Sequence, residues 1–269
     1  MSLERLTLPA TSLAFAAALA VSGAHAQAVP GCGGRSAGPA EAARVVDGRS
    51  FLLADGREVR LAAIETVLPV PGDQDEARAE AAQAVKAALE ALVLAREVDL
   101  FVADAGFDRY GRLTAYVSAG DGVLVQYALV ASGHALVSPA VLPACRTWLQ
   151  SAERTARARG RGLWGEPYSV VRNAADPADI LADQGRFAVV QGKVASVRES
   201  SGIIYINFGQ RWSDQFTATL LKRNEGSFTH AGVMPKSLAG RTVEVRGWIE
   251  ERNGPTVELT RPEQIDIVH

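Results

Sequence analysis

Val46-Asp47-Gly48-Arg49-Ser50, running on through Arg57-Glu58-Val59-Arg60-Leu61 and Ile64-Glu65-Thr66 to Leu68, is the stretch whose reading decides the fold. Residues 44–50 and 51–54 alternate apolar and polar side chains as half-buried strands do. Asp55-Gly56 then gives a hairpin turn, because both residue types tolerate positive φ. Residues 57–64 return as a strand.

Further along, residues 97–102 and 113–118 read as strands around the loop Asp108-Arg109-Tyr110-Gly111-Arg112. An Ala-rich helix precedes them over about 73–95. Asp73 is its expected cap, and Ala77, Ala81, Val85, Ala88, Leu89 and Leu92 share one face. A short helix over 124–132 ends at Gly133, the residue type that best takes the left-handed conformation past a helix. A last helix spans about 144–159 and closes on Arg161-Gly162-Leu163-Trp164. His134, Trp148 and Trp164 read as structural, and the arginines at 154, 157, 159 and 161 as a solvated face.

Residues 168–184 hold Asn173, Asp176, Pro177, Asp179 and Asp183 and read as a polar linker, where proteolysis should cut first. Beyond it, β-branched and aromatic runs over 187–197, 203–208, 216–221, 242–250 and 257–268 read as strands, with a weak helix over 225–238. Asn253-Gly254 is a hairpin signal between the last two. Three strands, a helix and two strands is the order of an OB-fold barrel, expected to fold alone over 185–269. Its Tyr205, Phe208, Trp212, Phe216 and Trp248 read as core or as a stacking surface, with Arg211-Trp212-Ser213-Asp214 as the exposed candidate.

The N-terminus carries Arg5, an apolar run over 12–21 and the small-x-small site Ala24-His25-Ala26, so residues 1–26 read as a secretory signal peptide. The run is far short of the ~20 apolar residues that span a bilayer. Residues 27–43, Gly- and Pro-rich, read as a flexible arm. The expected location is periplasmic or secreted. The two cysteines, Cys32 and Cys145, both outlast cleavage, and an even count in an exported chain points to a disulfide. A net charge of −2 gives no bulk pull toward polyanions, so any such site is local.

Taken in order, these motifs resemble the thermonuclease (micrococcal- or staphylococcal-nuclease-like) family over about residues 44–167. Residues 46–50 resemble its D-G-D-T turn, 57–66 its V-R-L-x-x-x-D-T-P-E segment, 108–112 its D-x-Y-G-R loop and 161–164 its G-L/I-W close. The implied fold class is β-rich α+β: a nuclease-like OB-type barrel with packed helices over 44–167, then a second OB-like β-barrel domain over 185–269.

The resemblance also implies a chemistry. Two guanidiniums, Arg60 and Arg112, would hold phosphate oxygens and tighten as charge builds in phosphodiester cleavage. Tyr110 would stack on a base or ribose, or pack the loop. The family binds Ca²⁺ through carboxylates and a threonine carbonyl. Glu65 and Thr66 match part of that set, Asp47 is a displaced candidate, and Arg49 occupies the other aspartate position. Arg49 is either a surface residue or a replacement cation that pairs with Glu65. The general-base position holds Leu68, and leucine takes no proton from water. Asp73, Asp75 and Glu76 lie just beyond it, as rescuing carboxylates or as a negative helix start. The expected function is binding of nucleic-acid or nucleotide phosphates with weak or lost hydrolysis. The alternatives are an active Ca²⁺-dependent nuclease with relocated carboxylates, and an envelope protein-interaction module without catalysis.

Overall fold

A computed structural model describes residues 32, 34–68, 75–120, 122–141, 143–209 and 214–268. The expected signal peptide and most of the Arg211–Asp214 turn lie outside these residues.

Five strands close the first barrel, in the order β1-β2-β3-β6-β5. They are β1 (Arg35–Asp47), β2 (Ser50–Leu53), β3 (Glu58–Leu61), and, after the short β4 (Ile64–Glu65) and helix α1 (Glu76–Val93), β5 (Glu97–Phe107) and β6 (Leu113–Ala119). β1 serves two neighbours: its first half pairs with β5 from Arg35↔Val102 to Glu41↔Glu97, and its second with β2. Residues 35–43 are therefore barrel wall, which corrects the expectation of a flexible arm. Backbone hydrogen bonds hold this segment, so its small side chains are no obstacle.

The Asp47–Ser50 turn is built by an Asp47 Oδ1 that accepts from the Arg49 backbone N–H at 2.9 Å. Gly48 there admits no side chain, since a Cβ would lie 2.4 Å from Val85 Cγ1 of α1. Helix α1 is capped by Asp75, which accepts from Arg78 N–H, so its cap lies two residues after the Asp73 expected in that role. Its Ala82, Val85, Leu89 and Val93 are buried. Helices α2 (Val125–Ala131) and α3 (Pro143–Ala158), with β7 (Leu136–Val137) between them and paired to β4, complete this unit. A disulfide joins Cys32 to Cys145 of α3, both within the buried core.

The C-terminal unit follows β8 (Val171–Asn173) and α4 (Pro177–Leu181). It comprises β9 (Phe187–Lys193), β10 (Ser196–Ser200), β11 (Ile203–Asn207), β12 (Thr217–Leu221), α5 (Glu225–His230), β13 (Thr242–Trp248), β14 (Glu250–Glu251), β15 (Pro255–Leu259) and β16 (Ile265–Ile267). These form two sheets, β10-β11-β12-β15-β14 and β16-β13-β9-β8. The chain passes from β9 to β10 and from β13 to β14 by short bends, so the first and fourth expected strands each serve both sheets. β12 runs parallel to β15, and Asn253-Gly254, both at positive φ, turns β14 into β15.

Residues 168–184 are no solvated linker. β8 pairs with β9, and Arg172 Nε donates to Asp183 Oδ2 at 2.6 Å with Asp183 only 2% exposed. Arg172 and Asp183 are buried against each other, while Asn173, Asp176 and Asp179 stay exposed. A shared apolar layer of Val67, Val85, Leu136, Leu163, Trp164, Tyr168 and Val189 joins the two units. Arg157, expected on a solvated face, pairs with Glu244 and Gln191 across this boundary.

Candidate functional site

The parallel pairing of β3 with β6 sets the site. Its register, Val59↔Leu113 and Arg60↔Thr114, brings Arg60 and Arg112 to the same end of the barrel. Burial and the Arg112 charge hold the Arg60 guanidinium below its ordinary pKa, which sets the two cations in each other's field. Tight hydrogen bonding shapes the 108–112 loop. Asp108 Oδ1 accepts from the backbone N–H of Tyr110 at 2.9 Å and of Arg112 at 3.0 Å, and its Oδ2 takes Arg112 Nε at 2.7 Å. Arg112 Nη1 lies 3.9 Å from Glu58, beyond hydrogen-bond reach. Burial pushes the Asp108 carboxyl up, but these bonds outweigh it and hold it below the usual carboxylate range. Tyr110 is 68% exposed, with the Arg109 and Arg112 guanidiniums 4.8 and 5.3 Å from its ring centre.

Glu65 on β4 stands between two arginines. Arg60 Nη2 donates to its Oε1 at 2.8 Å, and Arg49 Nη1 pairs with its Oε2. The Arg49 and Glu65 side chains are each only 7% exposed. Burial, with Arg60 and Arg112 nearby, pushes Arg49 down to about 10. The Asp47 and Asp108 carboxylates oppose that shift, and a group at this value is charged at neutral pH in any case. The Thr66 hydroxyl, next in the chain to Glu65, is buried without a hydrogen-bond partner among the described residues.

Residues 58–166 match the model of the staphylococcal nuclease homologue family. The chain carries a staphylococcal nuclease homologue domain. No curated protein matches the chain.

The nuclease homologue domain keeps Arg60, Arg112 and Tyr110 together at one end of its barrel. Its carboxylates do not fit the Ca²⁺ that the family implies. Glu65 directs one oxygen to Arg49 and the other to Arg60, and Asp47 is spent on the turn around Arg49. Among the described residues, no three of His, Cys, Asp or Glu come together as a metal site. Asp47 and Glu65 of the expected Asp47, Glu65 and Thr66 ligand set are thus held in other contacts. A guanidinium lies on the carboxylate where a divalent ion would need it, and at ~4 Å and an effective dielectric of ~20 such a charge opposes the ion by several kcal/mol. Of the rescuing carboxylates, Asp75 caps α1 and pairs with Arg78 at 3.2 Å, and Asp73 lies outside the described residues.

Three residues to which the sequence gives no role in this site border it. Asp108 was visible in the motif but has its role only through the loop's hydrogen bonds. Glu58 enters through the β3–β6 register. Trp248, from the C-terminal unit, sits with its ring centre 5.7 Å from Arg49 Cζ, a long-range contact that carries no local signal.

Proposed function

We propose that this protein binds the phosphates of nucleic acid or nucleotides at Arg60 and Arg112, without a metal, and hydrolyses phosphodiesters weakly or not at all. The observation that supports this most is the Arg49–Glu65–Arg60 chain of ion pairs, which places a fixed guanidinium against the carboxylate left for metal binding. Arg112, steadied by Asp108, supplies the second phosphate donor. Leu68 at the base position leaves water unactivated, and a positioned base is typically worth about 10²–10⁴ in rate. The Cys32–Cys145 disulfide and the leader-like N-terminus support action outside the cytoplasm. No helix among the described residues is long and apolar enough to cross a membrane.

Calorimetric titration of the mature protein with a nucleoside 3′,5′-bisphosphate, in Ca²⁺ and in EDTA, tests the assignment. The expected result is equal affinity in both buffers, lost in Arg60→Ala and Arg112→Ala. Brisk cleavage of DNA or RNA that EDTA abolishes would overturn it.

A further inference from the structure

Three exposed aromatic side chains accompany this arginine cluster. Phe107, at the end of β5, is 61% exposed, and Tyr110 is 68% exposed on the loop that carries Arg112. Trp248 comes from the other unit. It is the last residue of β13, paired in register with Phe187 at the start of β9, and it remains 44% exposed. Phe187 meets it edge-on at 6.3 Å between ring centres. The Arg49 guanidinium lies over the indole, and the same Arg49 pairs with the Glu65 that holds Arg60. Trp248 is therefore linked to a proposed phosphate donor, Arg60, through three successive contacts.

Single exposed apolar side chains are ordinary, but aromatics grouped beside a cationic site point to a surface that a partner covers. The chemistry beside these rings selects the partner. Guanidiniums grip phosphate, and an aromatic face stacks on a nucleobase of any identity. A base inside a duplex has no free face to offer, whereas a single strand splays its bases.

We propose that Trp248 of the C-terminal unit is a base-stacking residue of the site, and that the ligand is single-stranded nucleic acid. One base stacks on Trp248, the adjoining phosphate lies on Arg60 and Arg112, and the next base meets the Phe107–Tyr110 loop. This rests on the phosphate-binding reading above and adds to it a substrate class and a contribution from the second unit.

Fluorescence anisotropy of the full mature chain in EDTA tests it, with a labelled oligothymidylate, an abasic oligomer of the same length, and a duplex. Trp248→Ala should weaken oligothymidylate binding on the order of 10-fold. It should leave the abasic oligomer unchanged, and Trp248→Phe should restore most of the loss. The duplex should bind more weakly than the single strand. If Trp248→Ala weakens both oligomers equally, Trp248 is structural and the stacking proposal falls. If it changes neither, the proposal falls while phosphate binding stands. If Arg60→Ala leaves abasic binding intact, the phosphate reading itself fails.

Discussion

Arg246 of β13 donates to both oxygens of Glu153 on α3, at 2.9 and 3.2 Å, and so fastens the C-terminal sheet to the nuclease homologue domain. The same guanidinium reaches Glu244 at 3.2 Å and the Val137 carbonyl at 3.3 Å. Glu153 in turn accepts from the Val137 N–H at 2.7 Å. Opposed carboxylates and backbone groups thus share one buried cation, and Arg246 lies above its ordinary pKa: burial lowers it, but Glu153 and Glu244 outweigh that.

Arg246→Ala would leave the buried Glu153 carboxylate without this cation, while Glu244 would keep Arg157. Loss of one partner from a buried pair costs about 3–5 kcal/mol. Urea unfolding of the variant should show that loss in one cooperative transition for both units. A loss below about 1 kcal/mol, the range of surface pairs, would mean that the network is solvated.

The disulfide spans a sequence separation of 113 residues and ties the start of β1 to α3. In the chain-entropy model a loop of this size is worth about 4–5 kcal/mol. Cys32→Ala with Cys145→Ala should lower the unfolding free energy by an amount of that order. Reductant should destabilise the parent and leave the variant unchanged. Equal stability of the oxidised and reduced parent would remove the disulfide from the stabilising interactions.

Asp108 gives a pH dependence with a definite sign. Its folded pKa is depressed below the ordinary 3.8. Its contribution is therefore complete above that value and is lost as pH falls through the folded one. The stability difference between parent and Asp108→Asn should be constant near neutrality and shrink as pH falls below the ordinary carboxylate value of 3.8. A difference that persists unchanged at the acid end would refute the assignment.

The contrast between Arg60 and Asp183 shows what local sequence carries. Arg60 and Arg112 were legible because each sits in a short motif, and strand alternation fixed the barrel edge they share. Asp183 and Arg172 were read as solvated because a polar composition is the same whether its charges face water or each other. Residues 35–43 were missed because their pairing with β5 uses backbone groups and leaves no apolar period. Trp248 was visible as an aromatic, but its place over Arg49 depends on how two units dock.

On the proposed metal-free reading, Arg49 and Leu68 are the two departures from the family pattern, and they act at different steps. Arg49→Asp removes the guanidinium from Glu65 and sets a second carboxylate beside it, which is a ligand pair for a hard cation. Without an ion those carboxylates repel, so the variant should be less stable than the parent and should regain stability on adding Ca²⁺. The parent should show no such response. Leu68→Glu alone supplies a base but no ion, and Arg49→Asp alone an ion but no base. Only the double variant should gain substantial Ca²⁺-dependent cleavage, by up to about 10²–10⁴ over Arg49→Asp. Thermal unfolding with and without Ca²⁺ reads the first effect, and a nuclease assay with EDTA control reads the second. If Ca²⁺ stabilises the parent as much as Arg49→Asp, the Arg49–Glu65 pair gives way to the ion and the metal-free assignment is wrong. If Ca²⁺ stabilises the variant but the double change adds no cleavage, position 68 does not face the attacking water.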